Sequence, residues 1–164
     1  MKKAMIALAL CCAAGPAVAA EQVINLTATV SGSCSISDSA SPSAVTQALT
    51  INGDGHVSTT PVTMTFPVAC NGPSTLQMTS SNYGLVGPGT VAGYVNKIGY
   101  TAVTSGVFAA PFTLNVPLGA PQPPVETDVP AAGDLVLTIT PQDQGKLVKG
   151  SYSDALHLVI TPLQ

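Results

Sequence analysis

The sequence predicts an all-β fold, a β-sandwich, from three observations. Wherever hydrophobic residues follow a clean pattern, the period is two, and no helical stripe competes with it. Only 8% of residues are charged, against about 25% in an ordinary soluble domain; Thr, Ser, Gly, Pro and Ala fill the difference. Turn clusters such as Asn52-Gly53-Asp54-Gly55, Asn71-Gly72-Pro73 and Gly87-Pro88-Gly89 then cut the chain into short segments, the spacing expected of a sandwich.

The first segment reads as a signal for export. Lys2 and Lys3 precede an apolar run from Ala4 to Ala14, a Gly15-Pro16 break and the small residues Ala17-Val18-Ala19-Ala20. Residues 1–20 are therefore expected to be a removable signal peptide, too short in its apolar part to span a bilayer. Leu10 before Cys11 speaks against a lipoprotein signal. Residues 21–164 form one domain. This exported part keeps three lysines against eight acids and has no arginine, a net charge of −5. Nucleic acid and anionic lipid both demand clustered cations, so neither is expected as a partner.

Cys34 and Cys70 are the two cysteines beyond the signal. An even pair in an exported chain most simply forms one disulfide. Both lie in the cleanest alternating segments. From Ile24 to Cys34 the even positions are Ile24, Leu26, Ala28, Val30, Gly32 and Cys34, and the odd positions are polar. From Val62 to Cys70 the even positions are Val62, Met64, Phe66, Val68 and Cys70. Each segment predicts a half-buried strand with its cysteine on the inner face. Pro67 cannot donate to a ladder, so a free or bulged side is expected there. Further strands are predicted at 45–51, 75–79, 95–103, 108–116, 135–140 and 152–161. The five prolines between Pro117 and Gly133 predict a long loop within the one domain. In the last strand Leu156, Leu158 and Ile160 share one face.

Catalytic and metal chemistry find little support. His56 falls in a glycine-rich turn and His157 on a strand, and no GxSxG elbow occurs. The Asn52–Gly55 cluster lacks the remaining oxygen ligands and closing Glu of a calcium loop. Asp128, Asp134 and Asp143 read as solvated loop acids. Tyr83, Tyr94, Tyr100 and Tyr152 fit core or rim packing better than a sugar platform. No catalytic residue, metal ligand or cofactor is expected, and the chain is not expected to be an enzyme.

Several of these pieces occur together in one known family. An alternating segment leads to "SGSC", a second cysteine closes "FPVAC", "KIGYTA" lies mid-chain, and "KGSYSDALHLVITP" carries Gly150, Tyr152 and Asp154 ahead of the last strand. This layout resembles the spore coat protein U domain family, which includes subunits of archaic chaperone–usher pili. The resemblance implies an immunoglobulin-like, pilin-type β-sandwich that lacks one strand and is completed by a donated one. It implies a structural subunit of a secreted surface fibre that supports adhesion or biofilm formation. The partners implied are identical or related pilin subunits, a periplasmic chaperone and an outer-membrane usher, on a route through the periplasm to the cell surface. An N-terminal donor strand of about 21–32 would present Ile24, Leu26, Ala28 and Val30. Leu156, Leu158 and Ile160 would line the acceptor groove, and Cys34 and Cys70 would match the family's disulfide. A non-polymerising coat protein, or an adhesin-like binding domain of the same family, is the alternative.

Overall fold

The computed structural model describes residues 25–37, 44–108, 110–116, 125–127 and 130–163. The expected signal peptide and Ile24 lie outside the described residues. The chain divides into two compact units, 1–30 and 31–164. In the first, residues 25–30 carry no strand, and Leu26 and Val30 are 90% and 83% exposed.

The second unit is all-β. Its strands are β1 (Cys34–Ile36), β2 (Val62–Cys70), β3 (Ser74–Ser80), β4 (Leu85–Val86), β5 (Lys97–Gly106), β6 (Thr113–Val116), β7 (Val125–Thr127), β8 (Ala132–Gln142) and β9 (Leu156–Pro162). Every strand pairing is antiparallel. One sheet runs β1-β2-β8-β5-β4, with β6 also on β5; the other runs β7-β3-β9. No helix among the described residues is long and apolar enough to cross a membrane.

The period of two explains the core between the sheets. Val68 and Cys70 of β2, Leu135 and Leu137 of β8, and Tyr100 and Ala102 of β5 point inward from the first sheet. Leu76 and Met78 of β3 meet them from the second, both fully buried. Burying a side chain of this size contributes about 1.5–3 kcal/mol. Phe108, Phe112, Leu114 and Val116 close the side near β6.

Gly106 ends β5 at φ +103, and a Cβ there would collide with the Asp134 carbonyl oxygen. Gly106→Ala is therefore expected to lower stability by about 2 kcal/mol, from backbone strain plus the shift of β8. Urea unfolding measures it; an unchanged midpoint would show that the two strand ends separate freely.

Five sequence expectations need correction. Residues 108–116 were expected to be one strand, but only Thr113–Val116 form it, and 108 and 110–112 carry none. The segment from Ile24 to Cys34 was expected to be one strand, but residues 25–33 carry none and β1 begins at Cys34. Alternation suits a segment to a sheet; only a neighbour makes it a strand. At 31–33 the Asn71 side chain takes that place, donating to the Ser31 carbonyl at 2.9 Å and accepting from the Ser33 amide at 2.7 Å. Residues 45–51 form no strand beyond a bridge from Ile51 to Val57. The proline-rich stretch is not all loop: β7 pairs with β3 through Val125–Thr127. The last strand begins at Leu156, not Tyr152, because Ser153 bridges to Val86 through its backbone instead and the Tyr152 and Asp154 side chains are held by the bonds described below.

The Pro67 expectation holds. The Ser37 amide donates to the Pro67 carbonyl at 2.7 Å, so the missing N–H faces the β1 side. There β1 has already stopped, at Ile36 opposite Val68.

Candidate functional site

The most distinctive surface is a groove where the core is unfinished. Burial of the β2 inner face weakens along the strand: Cys70 and Val68 are buried, whereas Phe66, Met64 and Val62 are only half-buried. On β8, Leu135 and Leu137 are buried and Ile139 is half-buried. β9 shows the effect along its whole length. Ile160 pairs with Leu76 and Leu158 with Met78, yet Leu76 and Met78 are 0% exposed while Leu156, Leu158 and Ile160 remain half-buried. The residues left partly open converge. Leu156, Leu158 and Ile160 line one wall of a groove of about 760 Å³, and Ile36, Met64, Phe66 and Ile139 are among those lining the other. Residues 44–49 also border it through Ala44, Val45, Gln47 and Leu49. Outside the groove, Gly32 lies close against Pro162, where a Cβ would come within 3.0 Å of the Pro162 ring.

β9 also has a free long edge. Among the described residues its one ladder is with β3, so alternate backbone groups on its other side have no strand partner there. An apolar groove beside such an edge is the combination that accepts an extended peptide. Ladder bonds supply affinity, and pockets for every second side chain supply specificity.

The groove's floor is held at one end by Asp154. Its Oδ2 accepts from the Ser80 hydroxyl at 2.6 Å and the Tyr100 hydroxyl at 2.7 Å. Its Oδ1 accepts from the Asn82 amide at 2.9 Å and the Ala155 amide at 2.8 Å. One carboxylate thus joins β3, the loop after it, β5 and the start of β9. Burial pushes its pKa up, but the bonds from Ser80, Tyr100 and the two amides outweigh that, and the group lies below the ordinary carboxylate range. Burial pushes the Tyr100 phenol well above its ordinary value; its bond with Ser80 opposes this, and the bond to Asp154 with the nearby carboxylate charge adds to it.

The rest of "GSYSD" is structural in the same way. The Tyr152 hydroxyl donates toward the Val148 carbonyl at 2.8 Å, with the Val95 carbonyl at 3.2 Å. Gly150, at φ +157, lies where a Cβ would strike Pro88. These residues fold the chain tightly ahead of β9. They do not meet at a reactive centre.

Comparison with known proteins returned no match. That holds for family models, for curated proteins and for solved structures.

Cys34 and Cys70 are bonded, at directly opposed positions of β1 and β2 with a Cα separation of 4.1 Å. The Cys70 amide donates to the Ala131 carbonyl, away from β1. The pair therefore occupies a non-hydrogen-bonded site, where opposed residues approach most closely. Leu26, Ala28 and Val30 lie in the first unit, outside the groove-bearing one. The acids and histidines give two pairs. His56 Nδ1 lies 2.9 Å from Asp143 Oδ2, and this holds the Asp143 carboxyl below its usual range. Ser81 Oγ lies 2.9 Å from His157 Nε2, at an exposed position. Among the described residues no three His, Cys, Asp or Glu side chains are grouped to hold a metal.

Met64, Phe66 and Ile139 are groove residues that sequence reasoning did not single out. Alternation marked Met64 and Phe66 as inward-facing. It carried no sign that the inward side is unfilled at that end.

Proposed function

We propose that this chain is an exported structural subunit whose groove accepts a β-strand from another copy, so that subunits join head to tail into a surface fibre. The observation that carries the reading is the half-buried apolar face of β9, lying beside a free strand edge over an unfinished core. In this reading the immunoglobulin-like sandwich is one strand short, and the inserted strand completes it.

The donor is the alternating segment before Cys34. Leu26 and Val30 are exposed, and two such side chains are costly to leave in water at an isolated segment. Inserted into a groove, each contributes on the order of 1.5–3 kcal/mol. Donation to the next copy does not close on itself, so it propagates as a fibre. A periplasmic chaperone would occupy the groove before assembly and an outer-membrane usher would exchange it, as the resemblance implies. The disulfide accords with an oxidising compartment.

Leu26→Arg tests this. A guanidinium carried into the groove would be desolvated among apolar side chains such as Phe66 and Leu158. The Asp154 carboxylate is already engaged by its own donors, so the cost is on the order of several kcal/mol. Secreted wild-type protein is expected to run as heat-sensitive multimers on gels, and the variant as monomer with an unchanged urea midpoint. Multimers that persist in the variant would rule out this donor segment.

A further inference from the structure

We propose that residues 44–50 form a removable strap across the mouth of the groove, closing the unpaired subunit until an incoming strand displaces them. This rests on the assembly reading above and concerns how the same groove is regulated.

Three observations carry it. Val45, Gln47 and Leu49 line the groove together with Phe66 and Leu158, so this piece of the chain already covers apolar surface that a donated strand would need. The cover is light: among the described residues 44–49 make no ladder and the first backbone tie is at Thr50, whose carbonyl accepts from the Ser58 amide at 2.8 Å. Val45 is 63% exposed, and Leu49 alone of the segment is half-buried. The segment is also anchored firmly just beyond its end. Ile51 bridges to Val57, which is buried, and the Leu147 amide donates to the Gly55 carbonyl at 2.9 Å. His56 and Asp143 add an ion pair at 2.9 Å to the same hairpin.

A weakly seated segment beside a fixed anchor can swing out and leave the rest of the fold standing. Its energetic position is that of the low-stability elements from which lids are drawn. Its sequence explains why it covers the groove at all. Val45 and Leu49 flank Gln47 at a spacing of two, so one side of an extended chain turns these three toward the groove that Phe66 and Leu158 also line. Among the described residues no neighbouring strand holds it there. The strap shields the open core from water and from wrong partners, and it lowers the fraction of subunits ready to accept a strand. Apparent affinity falls by that fraction, and loosening the strap recovers it.

The test uses the chain from residue 21 to 164 and a synthetic peptide of residues 21–33. A polarity-sensitive fluorophore at Gln47→Cys is expected to shift to the red when peptide binds, as the strap leaves the groove. Leu49→Ser is expected to speed peptide association by about tenfold, the gain if roughly one subunit in ten is open at rest. Val45→Ser, at an exposed position, gives a smaller gain without risk to folding. A blue shift on binding, or association rates unchanged in both variants, overturns the strap: residues 44–50 would then stay and pair with the incoming strand. Peptide that binds neither wild type nor variants overturns the assembly reading instead. The strap is then judged by an apolar dye, whose binding must rise in Leu49→Ser; no rise overturns it.

Discussion

Replacing Cys34 and Cys70 together by serine is expected to lower stability by about 4 kcal/mol. The bond closes a loop of 36 residues, and restriction of the unfolded chain by such a loop gives a figure of that size. The native state has its own reason to need the bond. β1 is three residues long and sits at the sheet edge. Three ladder positions hold a strand poorly, and its two outer neighbours are a bend at Ser37 and the Asn71 bracket at 31–33. β1 also supplies Cys34, Ser35 and Ile36 to the groove wall. Loss of the bond should therefore cost the groove as well as the fold. Urea unfolding of the double variant, compared with the oxidised and reduced wild type, measures the first effect. Binding of a peptide of residues 21–33 to protein that remains folded measures the second. A loss below about 1 kcal/mol would mean that the ladder and Asn71 alone fix β1.

The two alternating segments show what the sequence can and cannot disclose. Residues 62–70 and 24–34 carry equally clean patterns. The first is a central strand, flanked by β1 and β8. The second yields a strand only from Cys34 onward. Periodicity reports which side of an extended segment is apolar, and it does not report whether a neighbour exists. The same limit accounts for 45–51, where the pattern is present and the ladder is not. The opposite error occurs at β7. Prolines at 117, 121, 123, 124 and 130 masked a three-residue strand, because so short an element needs only the three positions that face β3. The inward faces of β2, β8 and β9 were legible residue by residue. The groove was not, since it arises from inner-face burial that gives way partway along β2 and β8 and is incomplete along the whole of β9. Asp154 was visible as part of a motif, but its role depends on Ser80 and Tyr100, which lie 74 and 54 residues away.

Asp154→Ala is expected to cost about 3 kcal/mol at neutral pH. A hydrogen bond to a charged group contributes about 1.5–3 kcal/mol, and a buried donor left without its acceptor carries a further penalty. Here the Ser80 and Tyr100 hydroxyls lose their acceptor in a region where both residues are buried. The Asn82 and Ala155 amides are nearer to solvent and regain water, and the Gly84 amide bond is long at 3.3 Å, which keeps the total well below the sum of five bonds. Asp154→Asn should fall between. Its amide oxygen can still accept, but its NH2 group must then face one of the donors that the second carboxylate oxygen served. The pH dependence has a definite sign. The folded-state pKa is lowered, so the unfolded chain binds the proton more readily. The stabilisation is complete above the ordinary aspartate value, about 3.9, and is lost as pH falls through the lower folded value. Wild-type stability should therefore drop below about pH 4, and the Asp154→Ala curve should be flatter there. Urea midpoints measured from pH 7 down to pH 2.5 separate the two. Parallel acid limbs would assign the drop to other carboxylates. The same residue bears on the groove. Asp154 fixes the chain one residue before Ala155 and two before Leu156, so it sets where the apolar face of β9 begins. A variant that folds yet starts β9 loosely should bind the 21–33 peptide more weakly, even though Leu158 and Ile160 are untouched.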